Sequence, residues 1–189
     1  MPSSTTIPAP VNWPEPLTFE TDGTLLDGYS GAVFSQDRAY RYALTRTWDM
    51  GAPVMTWIGL NPSTASAMTD DSTARRFRAF ARREGCGGYS AVNLHALRAT
   101  DPDVLRMAGA PVGLSCDQFI DMHARPGSLV VAAWGAHPFA AARAREVTAR
   151  LTAAGVRLMC LGVTAAGHPR HPLYLRSDAP LIPWEAGHA

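Results

Sequence analysis

Four short apolar runs, separated by segments with helical patterning, constrain the fold of this chain most. They are residues 53–60 (PVMTWIGL), 89–94 (YSAVNL), 128–134 (SLVVAAW) and 156–162 (VRLMCLG). Near-continuous apolar runs of this length suit strands covered on both faces. The intervening segments carry helix signals. Asp70-Asp71-Ser72 offers an N-cap, and the stretch to Glu84 places Ala74, Phe77, Phe80 and Ala81 on one side with arginines on the other. Asp101-Pro102 opens a short helix, with Asp as cap and Pro at the first helical position. Ser115–Ala124 and Pro138–Ala154 read as two more, closed by Pro126-Gly127 and by Gly155. Strands alternating with helices at this spacing imply parallel βαβ units. The expected fold class is α/β: a three-layer α/β/α sandwich around a central, mainly parallel four-stranded sheet.

The N-terminal part has a different character. Residues 1–18 carry Pro2, Pro8, Pro10, Pro14 and Pro16, the composition of an extended arm. Trp13 and Leu17 are able to pin part of it to the body. Gly28 to Trp48 reads as a hairpin turning at Gln36-Asp37. The chain is expected to divide into an arm at residues 1–27 and a single α/β domain at 28–189, whose tail at Leu181–Trp184 packs back on the body.

Composition limits the chemistry. A chain of 189 residues, 47% of them hydrophobic, suits one domain with a sizeable core. A net charge of +1 gives no global attraction to nucleic acid, although a local patch can act where the whole is neutral. All 17 basic residues are arginine. Without lysine, covalent imine chemistry is open only to the N-terminal amine. Cys86, Cys116 and Cys160 form no CxxC pair, so they suggest reduced thiols of a cytoplasmic protein, not a disulfide framework or zinc ribbon. No apolar run reaches the roughly 18 residues of a membrane span, and no basic segment marks a signal peptide. A monomer without cofactor, metal or membrane partner is expected.

Three polar segments follow apolar runs: Gly59 to Thr64 (GLNPST), Val92 to Arg98 (VNLHALR) and His168 to Arg176 (HPRHPLYLR). In an open parallel sheet, loops beyond the carboxyl ends of strands converge on one crevice, where ligands bind. Asn61 can orient a water or a hydroxyl, or cap its own turn. Asn93 interrupts a strand, where a buried amide needs a partner. That partner is either a neighbouring loop or the edge of a nucleobase. His168 and His171 bracket Pro169-Arg170. One can donate to a developing anion while the other caps a loop carbonyl. Arg98 and Arg176 are placed for phosphate, or simply for solvent. The arginines at 75, 76, 78, 82 and 83 mark a solvated helix face. His95, His123, His137 and His188 show no partner pattern.

Taken together, these segments resemble the uracil-DNA glycosylase superfamily over residues 53–176. Ile58-Gly59-Leu60-Asn61-Pro62 is similar to the first motif of its mismatch-specific members. Tyr89 to Asn93, followed by Leu97-Arg98, resembles the strand carrying the pyrimidine-reading Asn. Val130 to Gly135 resembles the strand ending in a Trp-Gly or Leu-Gly pair, and His171 to Arg176 the final His-Pro motif with its DNA-inserting loop. The chain also looks like a member of a bacterial family of unknown function. The resemblance implies a monofunctional DNA glycosylase that takes a base out of the helix and leaves an abasic site. Asn61 would position the water, and His171, or alternatively His168, would bond the departing base. Asn93 would read that base, with Gly59, Leu60, Pro62 and Phe77 around it. Ser63, Thr64, Arg98, Arg170, Tyr174, Leu175 and Arg176 would hold DNA, with Leu175 or Arg176 entering the vacated stack.

The chain departs from the superfamily pattern in three places. Asn61 stands where the most active branch has Asp, the last motif reads His-Pro-Leu-Tyr, and the cysteines do not match the ligands of iron–sulfur members. A modified or mispaired base, a pyrimidine by preference, is therefore the expected substrate, in repair or in defence against modified phage DNA. A non-catalytic nucleotide-binding module and a nucleoside or nucleotide hydrolase are the alternatives.

Overall fold

The structure, a computed structural model, describes residues 4–5, 13–24, 28–63, 65–101 and 103–185. Thr64, Pro102, His188 and most of the proline-rich segment lie outside the described residues. The elements run β1 (Ser4–Thr5), β2 (Leu17–Thr24), β3 (Gly28–Ser35), β4 (Arg41–Thr47), β5 (Val54–Gly59), α1 (Ser72–Arg83), β6 (Gly88–Asn93), α2 (Asp103–Met107), α3 (Cys116–His123), β7 (Leu129–Ala132), α4 (Ala140–Ala153), β8 (Leu158–Cys160), a 3-10 turn at Pro172–Tyr174, and β9 (Ile182–Pro183).

The expectation of a central, mainly parallel four-stranded sheet is overturned. Among the described residues the strands form one mixed sheet of nine, in the order β1-β2-β3-β4-β6-β5-β7-β8-β9. Only β6, β5, β7 and β8 run parallel. Strands β1 to β4 extend the sheet antiparallel from one side, and β9 closes it antiparallel on the other. The hairpin read from sequence is the pair β3–β4, but it joins the main sheet through β4 and β6. Residues 17–24, read as arm, form an eight-residue strand paired along its length with β3. Leu17 is buried, and the Trp13 ring stacks on Phe119 at 4.7 Å.

Strand alternation sends side chains to two cores. Met55 and Trp57 of β5 and Tyr89 and Ala91 of β6 face α1, where Ala74, Phe77, Phe80 and Ala81 supply the apolar stripe. Trp57 and Phe77 stack at 4.5 Å. Ile58, Val92, Val130 and Ala132 face the other way, onto Phe119 and Ile120 of α3 and Val147 and Leu151 of α4. Helix α1 begins where the Asp71 carboxylate accepts the Ala74 N–H at 2.7 Å. It ends before Gly85, whose φ of +73° suits a glycine after a helix C-cap.

The arginines of α1 are more than a solvated face. Arg76 donates to the carbonyls of Pro172 and Leu175, and Arg83 to those of Ser177 and Ala179. They fasten the segment after His171 to the helix. The tail also packs back as expected: β9 pairs with β8, and the Trp184 ring meets Trp134 edge-on at 5.1 Å.

Candidate functional site

Strand β5 lies between β6 and β7, so the crossover through α1 and the one through α2 and α3 leave in opposite directions along the sheet. A crevice opens at such a switch point, beyond the carboxyl ends of the strands. Here it is a cavity of about 430 Å³, a size suited to a small ligand. Its walls bring together Gly59, Leu60, Asn61, Ser63, Phe77, Asn93, His171 and Tyr174 from the sequence-predicted set.

The position of Asn93 follows from register. It continues the Tyr89, Ala91 alternation on the α1 side and pairs directly with Gly59 of β5. A Cβ at Gly59 would stand 2.6 Å from Asn93 Oδ1, so only glycine leaves room for the amide. Asn93 is 7% exposed, and its Nδ2 has no partner among the described residues. Its main chain is held: the Cys116 thiol donates to its carbonyl at 3.3 Å, and Arg143 Nε donates to the next carbonyl, Leu94, at 3.0 Å. Burial without a partner is costly, so an amide donor on a cavity wall with no partner among the described residues is available to bond a ligand.

Asn61 bonds within its own turn and beyond it. Its Nδ2 donates to the carbonyls of Pro62 at 3.1 Å and Ala99 at 2.7 Å, tying the loop after β5 to the loop after β6. The amide oxygen is the group left for a water or ligand. Pro62 is buried and contributes that carbonyl, but it does not line the cavity.

The structure separates the two histidines. His171 lines the cavity, and its Nδ1 accepts the Leu173 N–H at 3.2 Å. A ring nitrogen that accepts is unprotonated, so the neutral ring carries its proton on Nε2. Burial lowers the His171 pKa below the usual histidine value, and Asp71 opposes that shift. The result is a neutral imidazole with one donor to offer. His168 instead sits in a local turn with Thr164, away from the cavity.

Other predicted positions fall elsewhere. Arg98 and Ser63 line an adjoining groove of about 380 Å³ with Arg38; Ser63, Ala99 and Thr100 belong to both walls. Arg170 and Arg176 are exposed and do not line the cavity, and Arg176 pairs with Asp178 at 3.0 Å. Leu175 packs on the core below α1, so it is not placed to enter a base stack. The exposed apolar groups at the rim are Tyr174, 77% exposed, and Leu173. Phe77 stacks on Trp57 in the core and also reaches the cavity wall.

Sequence reasoning missed Arg41, Asp71, His137 and Trp134 as cavity residues. Asp71 was legible only as a helix cap. Trp134 carried a signal, the strand-ending Trp-Gly pair. His137 copies the His171 pattern, its Nδ1 accepting the Phe139 N–H at 3.3 Å. Asp71 is the one carboxylate among the described residues that line the cavity. Among the described residues no cluster of three or more His, Cys, Asp or Glu side chains could hold a metal ion, the three cysteines are unpaired and buried, and no helix is long and apolar enough to cross a membrane.

No curated protein and no solved structure matches this chain. A family model described as a protein of unknown function, DUF1643, matches residues 41–173. That span begins at Arg41 and takes in the cavity walls as far as Leu173; the chain belongs to the DUF1643 family.

Proposed function

We propose that this protein is a monofunctional DNA glycosylase, acting in the cytoplasm on a modified or mispaired base, a pyrimidine by preference, turned out of DNA. The observation that carries this is the meeting, in one cavity, of the unpaired amide donor of Asn93 and the neutral, Nε2-protonated ring of His171. An amide matches the donor and acceptor edge of a base. An imidazole N–H aimed at the base stabilises the negative charge it gains on leaving. The anomeric carbon–nitrogen bond breaks, the bond electrons leave with the base, and water adds to the sugar carbon. Asn61 Oδ1 orients that water. Asp71 offsets the positive charge on the sugar and takes the proton the water loses, a task an amide cannot perform. Without lysine the strand stays intact at the abasic site. Tyr174 and Leu173 are the exposed groups able to fill the vacated stack.

The nearly neutral net charge favours a second reading, hydrolysis of a free nucleotide. The test is a panel of labelled DNAs holding uracil, thymine mismatches, deaminated purines and modified cytosines, with alkali cleavage to reveal abasic sites. A glycosylase gives alkali-sensitive sites on one of them, reduced about 10²- to 10³-fold by His171→Gln. Tight DNA binding with no abasic site on any substrate would leave only a binding module. Activity on nucleotides alone would establish the second reading.

A further inference from the structure

We infer that Arg41 makes one end of this cavity a binding site for an oxyanion, so that the ligand carries a phosphate there. The inference rests on the cavity being a nucleotide site. Arg41 opens β4, is 5% exposed and lines the cavity. Its Nη1 donates to the Ala65 carbonyl at 2.5 Å, and its buried Nε has no partner among the described residues. No carboxylate of the described residues lies within ion-pair distance of it, although Asp71 is near enough to favour its charged form. Burial draws the guanidinium down to about 10 from the usual 12.5, which leaves it charged at neutral pH. A buried cation with idle donors lowers stability unless something pairs with it. The guanidinium fork fits a phosphate through two parallel hydrogen bonds.

Two sources supply that phosphate, a free nucleotide or a nucleic-acid strand. Arg98 distinguishes them. Its guanidinium lies over the Phe34 ring at 5.3 Å, its Nη1 donates to the Arg38 carbonyl at 3.2 Å, its Nε has no partner among the described residues, and it lines the groove that shares Ser63, Ala99 and Thr100 with the cavity. In a strand, the neighbouring phosphate falls in that groove. A mononucleotide has none to place there.

The experiment measures binding by titration calorimetry, which needs no bond to break. The probes are thymidine, thymidine 5′-monophosphate, thymidine 3′-monophosphate and a four-residue oligothymidylate. The wild-type protein binds one of the monophosphates about 10- to 100-fold more tightly than the nucleoside. Arg41→Met abolishes the difference, and Arg41→Lys restores part of it. Thermal melting of Arg41→Met in phosphate-free buffer shows a midpoint equal to or above that of the wild type, because an unpaired buried charge is gone. Inorganic phosphate raises the wild-type midpoint and not that of Arg41→Met. If Arg98→Met weakens only the oligonucleotide, the phosphate belongs to a strand. If neither probe responds to Arg98→Met, it belongs to a free nucleotide. Equal affinity for thymidine and both monophosphates in the wild type overturns the inference, as does a phosphate preference that persists in Arg41→Met. Absence of base release with a phosphate preference intact would count against the glycosylase proposal and leave this one standing.

Discussion

Gly59 and Asn93 lie in register across β5 and β6, with no room for a Cβ between them. Gly59→Ala brings a methyl against the Asn93 amide. Since a side chain rather than backbone gives way, stability falls by only about 1 kcal/mol, the low end for overpacking. Ligand affinity falls about tenfold or more as the amide donor is displaced; chemical denaturation and calorimetry on one preparation check both. His95 shows the cost of burying a ring beside a like charge. Burial, then the Arg143 charge, lower its pKa to about 4, and the Phe139 backbone only partly opposes them. His123 is also lowered to about 4, by burial and then by Arg125. Below the unfolded value of 6.5 the unfolded chain binds protons that the folded chain refuses, so stability is complete above that pH and declines from 6.5 towards 4. Urea midpoints across this range show the decline, and His95→Leu makes it shallower. The sequence marked neither ring, because its pattern did not show that α4 and Phe139 would close over His95.

Helix α1 serves the fold and the site at once. Its apolar stripe was legible, since residues 74, 77, 80 and 81 share one helical side, and so was the cap at Asp71. Its second use was not: the cap carboxylate also lines the cavity, and Arg76 and Arg83 hold the segment after His171. These are long-range contacts that helical periodicity does not encode. Asp71 allows the two uses to be separated. Asn caps nearly as well as Asp, whereas Ala costs about 1 kcal/mol of stability. Asp71→Asn therefore keeps the wild-type melting midpoint while Asp71→Ala lowers it, and both reduce base release about a hundredfold or more. Normal turnover in Asp71→Asn would confine the residue to capping. Strand β2 escaped notice for a related reason: only its first residue is fully buried and its end is exposed, so pairing with β3 and not an apolar pattern defines it.

Across the molecule, four apolar runs were legible as strands separated by helices, but the mixed nine-stranded sheet that contains them was not. The antiparallel extension was not, since a hairpin read from turn residues says nothing about which strand it joins. That gap hid Arg41. The convergence of loops beyond parallel strands pointed to Asn61, Asn93 and His171, all of which reach the cavity, but a residue entering from antiparallel β4 lies outside that rule. His168 does not line the cavity, because its turn with Thr164 closes on itself before the chain reaches the crevice. If Asn93 and His171 hold a base while its glycosidic bond breaks, as proposed, that base appears free in solution. Mass spectrometry of free bases released from pooled host and modified phage DNA tests it without presupposing the base. The wild-type protein is expected to release one base and leave an intact sugar–phosphate chain, and His171→Gln and Asn93→Ala are expected to lose that release. No base released from any DNA, or release undiminished in both folded variants, would rule the glycosylase out.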